Sequence, residues 1–286
     1  MEDFNYRFLG AGIGHCAGIL GCDQAPDLVK DQLNLSKFWQ KTVYFKGIER
    51  GLNALNKLAD FSHQLALETA NIIEANRKFI TVGGDHSCAI GTWSGVYKAL
   101  GDFGLIWIDA HMDAHTPESS QSGNLHGMVT STLLGYGDKK LTCILSEKPK
   151  VKPEHIVLIG IRSFEKEEQA LLEKLNVKVF MIEEVKAKGF DYCFNEALHY
   201  FSKQNLSFGI SFDLDGVDPG DINALGTPVE NGIALKDILI CFKKMSEDRL
   251  IGIEIAEYNP MLDIEHQGIR VIHKILQSVT AYDVMI

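Results

Sequence analysis

The chain has 286 residues, 45% hydrophobic and 23% charged, which is an ordinary globular composition and far from the low-hydrophobicity, high-charge profile of disorder. A chain of this length buries a sizeable core, so fragment-sized and disulfide-stapled folds are excluded. Lys and Arg number 28 against 38 Asp and Glu, and the net charge of -10 argues against nucleic acid or an anionic membrane as the main partner and for a small or cationic ligand.

Eight short apolar runs, bounded by Gly, Asp or Pro, read as buried strands of a parallel sheet: Tyr6–Leu9, Thr42–Phe45, Phe79–Val82, Gly104–Ile108, His155–Ile161, Val177–Ile182, Phe208–Phe212 and Leu250–Ile255. Helical periodicity fills several of the intervals. It is clearest over Leu52–Phe79, where Leu55, Leu58, Phe61, Leu65 and Ile72 recur at three- and four-residue steps. Leu235 with Ile238–Met245, and Ile269–Thr280, repeat the pattern. Strand and helix alternate to the end, which predicts a three-layer α/β/α fold with a mostly parallel, doubly wound sheet. With only 7 Pro and no low-complexity stretch, residues 1–286 read as a single domain. Six widely spaced Cys without a C-x-x-C pattern read as reduced thiols. An acidic start, Met1-Glu2-Asp3, and the lack of any membrane-length apolar run predict a soluble, cytoplasmic protein.

Chemistry gathers at three predicted strand ends. After the fourth strand come Asp109, His111, Asp113 and His115 at every second position, which an extended chain would place on one side. The seventh ends in Asp213-Leu-Asp215, and the third in Gly83-Gly84-Asp85-His86. Clustered carboxylates repel and raise each other's pKa unless cations neutralise them. Four carboxylates with two imidazoles and no thiolate make a hard donor set, suited to manganese or magnesium rather than zinc. Two such ions would activate water for hydrolysis at an electrophilic carbon. The competing interpretation, that these Asp residues are helix caps or turn formers, fits one Asp-x-Asp better than three clusters.

Over nearly its whole length the sequence resembles the arginase branch of the ureohydrolase family. The resemblance lies in Gly83-Gly84-Asp85-His86-Ser87, Asp109-Ala-His111-x-Asp113, Ser122-Gly-Asn124-Leu-His126-Gly127, Ser211-Phe-Asp213-x-Asp215-Gly-x-Asp218-Pro219, Gly226-Thr227-Pro228 and Glu254-Ile-Ala-Glu257-Tyr-Asn259-Pro260. It implies an arginase/deacetylase-like sheet and two Mn2+ per chain. One ion would be held by His86, Asp109, Asp113 and Asp213. The other would be held by Asp109, His111, Asp213 and Asp215, so that Asp109 and Asp213 bridge. Asp113 would also move a proton from the attacking water, and His126 would act as proton shuttle or substrate-amine partner. Glu257 would pair with the guanidinium and Thr227 would line that end. The reaction implied is L-arginine plus water to L-ornithine plus urea, in a homo-oligomer of three or six copies. The Ser122–Gly127 segment favours arginine over agmatine, because Ser122 and Asn124 could hydrogen-bond an α-carboxylate.

Two positions depart from the family pattern. His115 stands where Asn is usual, and could add a cation near the carboxylate. After Gly160-Ile-Arg162 the chain reads Ser163-Phe164-Glu165, so Glu165, with Glu168 behind it, is the candidate for the α-amino group. Other readings are an agmatinase, guanidinobutyrase or formimidoylglutamase, a zinc deacetylase, or a non-catalytic nucleotide-binding protein. The last rests on Gly12-Ile-Gly14-His-Cys-Ala17, a loose dinucleotide pattern that a tight N-terminal turn explains better. Trp107, with Trp39 and Trp93, reads as a core or interface anchor. Lys148–Lys152 reads as an exposed, solvated loop.

Overall fold

The computed structural model describes residues 4–280. Its strands are β1 Tyr6–Gly12, β2 Trp39–Tyr44, β3 Lys78–Gly83, β4 Gly104–Ile108, β5 Ile156–Ile161, β6 Lys178–Met181, β7 Phe208–Asp213 and β8 Leu250–Ala256. They form one sheet in the order β2-β1-β3-β8-β7-β4-β5-β6, every neighbour parallel. Each anticipated strand is present and differs only at its ends. Helices follow as α1 Ala25–Gln32, α2 Leu55–Glu74, α3 Cys88–Leu100, α4 Val129–Leu133, α5 Lys139–Thr142, α6 Lys166–Lys174, α7 Ile182–Lys188, α8 Phe190–Lys203, α9 Leu235–Lys244 and α10 Gln267–Thr280.

The sheet separates two cores, which is why its central strands are buried and mostly apolar on both faces rather than alternating strictly with polar residues. Ile80, Val82, Ile106, Ile108, Ile210, Phe212, Ile253 and Ile255 pack with α1 and with α7 to α10. Leu9, Phe79, Leu105, Trp107, Ile156 and Leu158 pack on the other face with α2 to α6. The long helical stretch ends earlier than its periodicity suggests. Asn76 takes a left-handed φ of 62°, which Asn tolerates, and reverses the chain after α2 so that Lys78 can open β3.

The carboxyl ends of the central strands β3, β8, β7 and β4 lie side by side, and this is where open α/β sheets leave room for ligands. Backbone bonds tie the ends of β3 and β8 to each other and to the end of β1: Gly84 N donates to Ala11 O at 2.9 Å, Asp85 N to Ile13 O at 2.8 Å, and Glu257 N to Gly84 O at 2.8 Å. Only glycine fits at position 84, since a Cβ there would stand 1.7 Å from the Ile13 carbonyl oxygen.

The loop leading to β5 corrects one expectation. Lys150 is only 2% exposed, and its ammonium donates to the carbonyls of Thr142 at 2.6 Å, Ser146 at 2.8 Å and Lys148 at 2.9 Å. The chain wraps its own carbonyls around the charge instead of leaving it to water.

Candidate metal centre and active site

The segment after β4 does not stay extended. The strand stops at Ile108, and Asp113 has a left-handed φ of 48°, so its residues converge through a folded loop and not by strand alternation. Asp109 is fixed at its root: His111 N donates to its Oδ1 at 2.7 Å and Trp107 Nε1 to its Oδ2 at 2.8 Å. The Trp107 ring also stacks on His86, with centroids 4.2 Å apart and planes 15° apart, so it does more than anchor the core. From β7, Asp213 Oδ1 accepts Asp215 N at 2.8 Å, a turn that turns Asp215 back toward the same space.

These elements bring two imidazoles and four carboxylates together. His86 Nδ1 lies 3.3 Å from Asp109 Oδ2, 3.2 Å from Asp113 Oδ2 and 3.0 Å from Asp213 Oδ2. His111 Nδ1 lies 3.1 Å from Asp215 Oδ2 and 3.6 Å from Asp109 Oδ1. Ligand atoms of His86, Asp109 and Asp213 come within 4.8 Å of one another, as do those of Asp109, His111 and Asp215, and Asp109 is common to both groups. His86 Nδ1 is buried and makes no hydrogen bond despite the three carboxylate oxygens around it. That arrangement suits a lone pair aimed at a cation.

The electrostatics agree. Burial and the Asp109 charge push the Asp113 carboxyl up to about 6. Burial, with Asp215 and Asp109 nearby, drives Asp213 far above the usual carboxylate range. Burial would raise Asp109 too, but the His111 and His86 imidazoles beside it hold it well below. A cluster that draws in protons in this way lacks positive charge, which two divalent ions would supply. The donor set therefore fits a binuclear hard-metal centre.

The cluster opens on a cavity of about 150 Å³ lined by His111, Asp113, His115, Ser122, His126, Gly127, Glu165, Glu168, Asp213, Asp215 and Thr227. A larger cleft of about 340 Å³, lined by Ile156, Val177, Phe180 and Tyr200 among others, holds none of these groups, so chemistry and not volume marks the site. Thr227 Oγ1 donates to Asp215 Oδ2 at 3.0 Å. Asn124 stands outside the lining, near Gly18.

Glu257 stands behind the wall, 2% exposed, on a left-handed backbone with φ 66°. Its Oε1 accepts His86 N at 2.8 Å and lies 3.1 Å from His126 Nδ1, while among the described residues its Oε2 meets only the Cys22 thiol, at 3.8 Å. Burial opposes a charge on His126, but the Glu257 hydrogen bond and charge outweigh it and raise the imidazole to about 9. At the mouth, His115 bridges two elements. Its Nδ1 is 3.0 Å from Ser119 Oγ, and its Nε2 is 3.0 Å from Glu165 Oε2 and 3.5 Å from Glu168 Oε2. Glu165 and Glu168 form the capping box of α6, and Glu168 Oε1 accepts Ala114 N at 2.9 Å.

Two contributors, Asp85 and Arg162, were not assigned these roles from the sequence, and Glu168 was placed there only behind Glu165. Asp85 accepts Cys16 N at 2.9 Å and thereby holds the loop after β1, whose Cys16 carbonyl receives His126 N at 3.3 Å. Glu168 proves as well placed as Glu165. Arg162 donates to the carbonyls of Asp215 at 2.7 Å, Val229 at 2.8 Å and Glu230 at 3.1 Å, bracing the segments that carry Asp215 and Thr227. Asp85 and Arg162 both lie inside the quoted motifs, and that was the available signal.

The sequence model of the arginase family matches residues 5–281. The arginase of Bacillus caldovelox is 38% identical over 213 residues, 74% of this chain and 71% of the relative, and that of Brevibacillus brevis is 38% identical over 226 residues, 79% and 76%. Among solved structures, Bacillus subtilis arginase superposes with a TM-score of 0.91 at 28% identity, covering 99% of this chain and 100% of the other. Entamoeba histolytica arginase, solved with L-ornithine, gives 0.89 at 30% identity, covering 99% and 100%. From its fold, its converging acids and imidazoles and these relatives, the chain belongs to the arginase family and is a ureohydrolase-type enzyme.

Proposed function

We propose that the enzyme hydrolyses the guanidinium group of L-arginine to L-ornithine and urea with two Mn2+ ions. The observation that carries this is Asp109, shared by two imidazole–carboxylate groups at the floor of a cavity whose wall includes His126 and Thr227. His86, Asp109, Asp113 and Asp213 would hold one ion, and Asp109, His111, Asp213 and Asp215 the other. When bound, the pair supplies Lewis-acid activation of water at neutral pH.

The remaining work falls to side chains. Asp113 accepts the proton released by the attacking water. His126 carries a proton to the departing amine, and Glu257 keeps it oriented. Glu257 Oε2, without a strong partner among the described residues, accepts a guanidinium N–H and turns the carbon toward attack. Thr227 lines that end. Toward solvent, His115 and Ser122 meet the α-carboxylate, while Glu165 and Glu168 meet the α-amino group. Asn124 contributes through the shape of the Ser122–Gly127 loop. The Entamoeba histolytica relative solved with L-ornithine supports an amino-acid substrate. The reading extends to one domain over residues 1–286, acting as a homo-oligomer of three or six copies. Among the described residues, no helix is long and apolar enough to cross a membrane.

The deciding experiment measures urea release from arginine, agmatine and guanidinobutyrate, and amide release from formiminoglutamate, with manganese added. The expected result is a kcat/KM for arginine at least 10²-fold above the others, because a site built for an α-carboxylate rejects the analogue lacking it. Equal or faster turnover of agmatine would remove arginine as substrate and leave the ureohydrolase class standing.

A further inference from the structure

Glu254 is an acid at the centre of the sheet that takes no part in the cluster facing the cavity. It is fully buried on β8, in register with Ser211 of β7 on one side and Thr81 of β3 on the other. Its chain neighbours Ile253 and Ile255 are apolar core residues, so packing alone asks for no carboxyl there. Burial of such a group is unfavourable without strong polar partners. Glu254 Oε1 receives the Cys88 thiol at 3.1 Å, a weak donor, and Oε2 has no hydrogen-bond partner among the described residues, although the Ser211 and Trp93 side chains stand close enough to favour the charged carboxylate.

The register partner suggests what the acid is for. Ser211 Oγ lies 3.0 Å from His86 Nε2. The other nitrogen of that ring, Nδ1, is the one that faces Asp109, Asp113 and Asp213 without a hydrogen bond. An imidazole binds a cation only through a bare nitrogen, and its second nitrogen then carries the hydrogen and needs an acceptor. Ser211 Oγ is that acceptor. A serine oxygen that accepts from His86 still has its own O–H to place, and the Glu254 carboxyl stands beside it in register on β8.

We propose that Glu254, Ser211 and His86 form a relay across β8, β7 and the β3–α3 turn that fixes His86 with its hydrogen on Nε2 and so presents Nδ1 to a divalent cation. Glu254 and Ser211 are then positioning residues for one of the two ions. The inference rests on the two-metal reading above, and it adds that a side chain with no access to the cavity sets affinity at one ion only. A purely structural Glu254 would lower stability without moving metal binding.

The test titrates Mn2+ into metal-free protein and counts free ion by electron paramagnetic resonance. The wild type is expected to bind two ions. Ser211→Ala and Glu254→Met, the second removing the acceptor at similar volume, should each weaken one ion about 10- to 100-fold and leave the other within about twofold. The double variant should be no weaker than the weaker single, because the two groups act in series. Ser211→Thr, which keeps the hydroxyl, should restore the affinity. Circular dichroism of each metal-free variant checks folding, and if Glu254→Met does not fold, Ser211→Ala and Ser211→Thr carry the test. Two ions in the wild type with unchanged affinities in both single variants, or effects that multiply in the double, would overturn the relay alone. Fewer than two ions in the wild type would overturn the two-metal reading and the relay with it.

Discussion

Asp113 and Glu257 both sit on left-handed backbone, a conformation that costs a non-glycine residue about 1–3 kcal/mol and persists where the surroundings impose it. Asp113 carries a second burden, because burial and Asp109 raise its carboxyl to about 6, above the 3.9 of an unfolded chain. The sign follows from proton binding. Between about pH 4 and 6 the folded metal-free state holds more protons than the unfolded one at this group, so stability falls as pH rises through that window. Asp113→Asn, which tolerates the same backbone, should therefore stabilise the metal-free protein by about 1–2 kcal/mol at pH 7 and by almost nothing at pH 4. Its kcat should fall at least 10²-fold. Denaturant unfolding at the two pH values, beside a urea assay, checks both, and a metal-free variant less stable at pH 7 would contradict the electrostatic account.

Among the elements, the loop from α5 to β5 shows how a segment can be built around one charge. Burial pushes the Lys150 ammonium down to about 8, which leaves it protonated at neutral pH, and its three hydrogens match three carbonyls. Lys150→Met keeps the aliphatic length but strands those acceptors. A loss of about 2–4 kcal/mol is expected, since an unsatisfied buried acceptor costs about 1–3 kcal/mol and some will find water. Calorimetry should show a Tm lower by roughly 5–10 °C, with the metal centre still loaded. An unchanged Tm would mean that the loop is held by its apolar contacts alone. At the same scale, Arg162 and the α6 capping box tie the cavity walls to rigid elements, which limits how far the substrate end can move.

At the scale of the molecule, the sheet is covered on both faces, and its central strand ends point buried acids at one spot. Stability and metal content are thus coupled, because ions that bind only the folded state add about 2.7 kcal/mol per site at a hundredfold excess over Kd. Chelation followed by gel filtration should lower Tm by about 5–10 °C, and manganese should restore it. Equal Tm values with and without metal would remove this coupling.

The sequence by itself determined the strands, their parallel arrangement, the two helical layers and the identity of the ligand-bearing motifs. Apolar runs and Asp-x-His or Asp-x-Asp spacings are local, and local patterns survive in one dimension. The tertiary structure decided how those motifs meet. The fold of the loop after β4, the withdrawal of Glu257 behind His126 and the position of Asn124 outside the cavity depend on φ angles and neighbours distant in the chain. So do Trp107 on His86, Lys150 inside its ring of carbonyls, and Glu254 opposite Ser211. A residue type can announce that it is an acid or a cation, but which partner neutralises it is settled only when strands that are far apart in sequence become neighbours in one sheet.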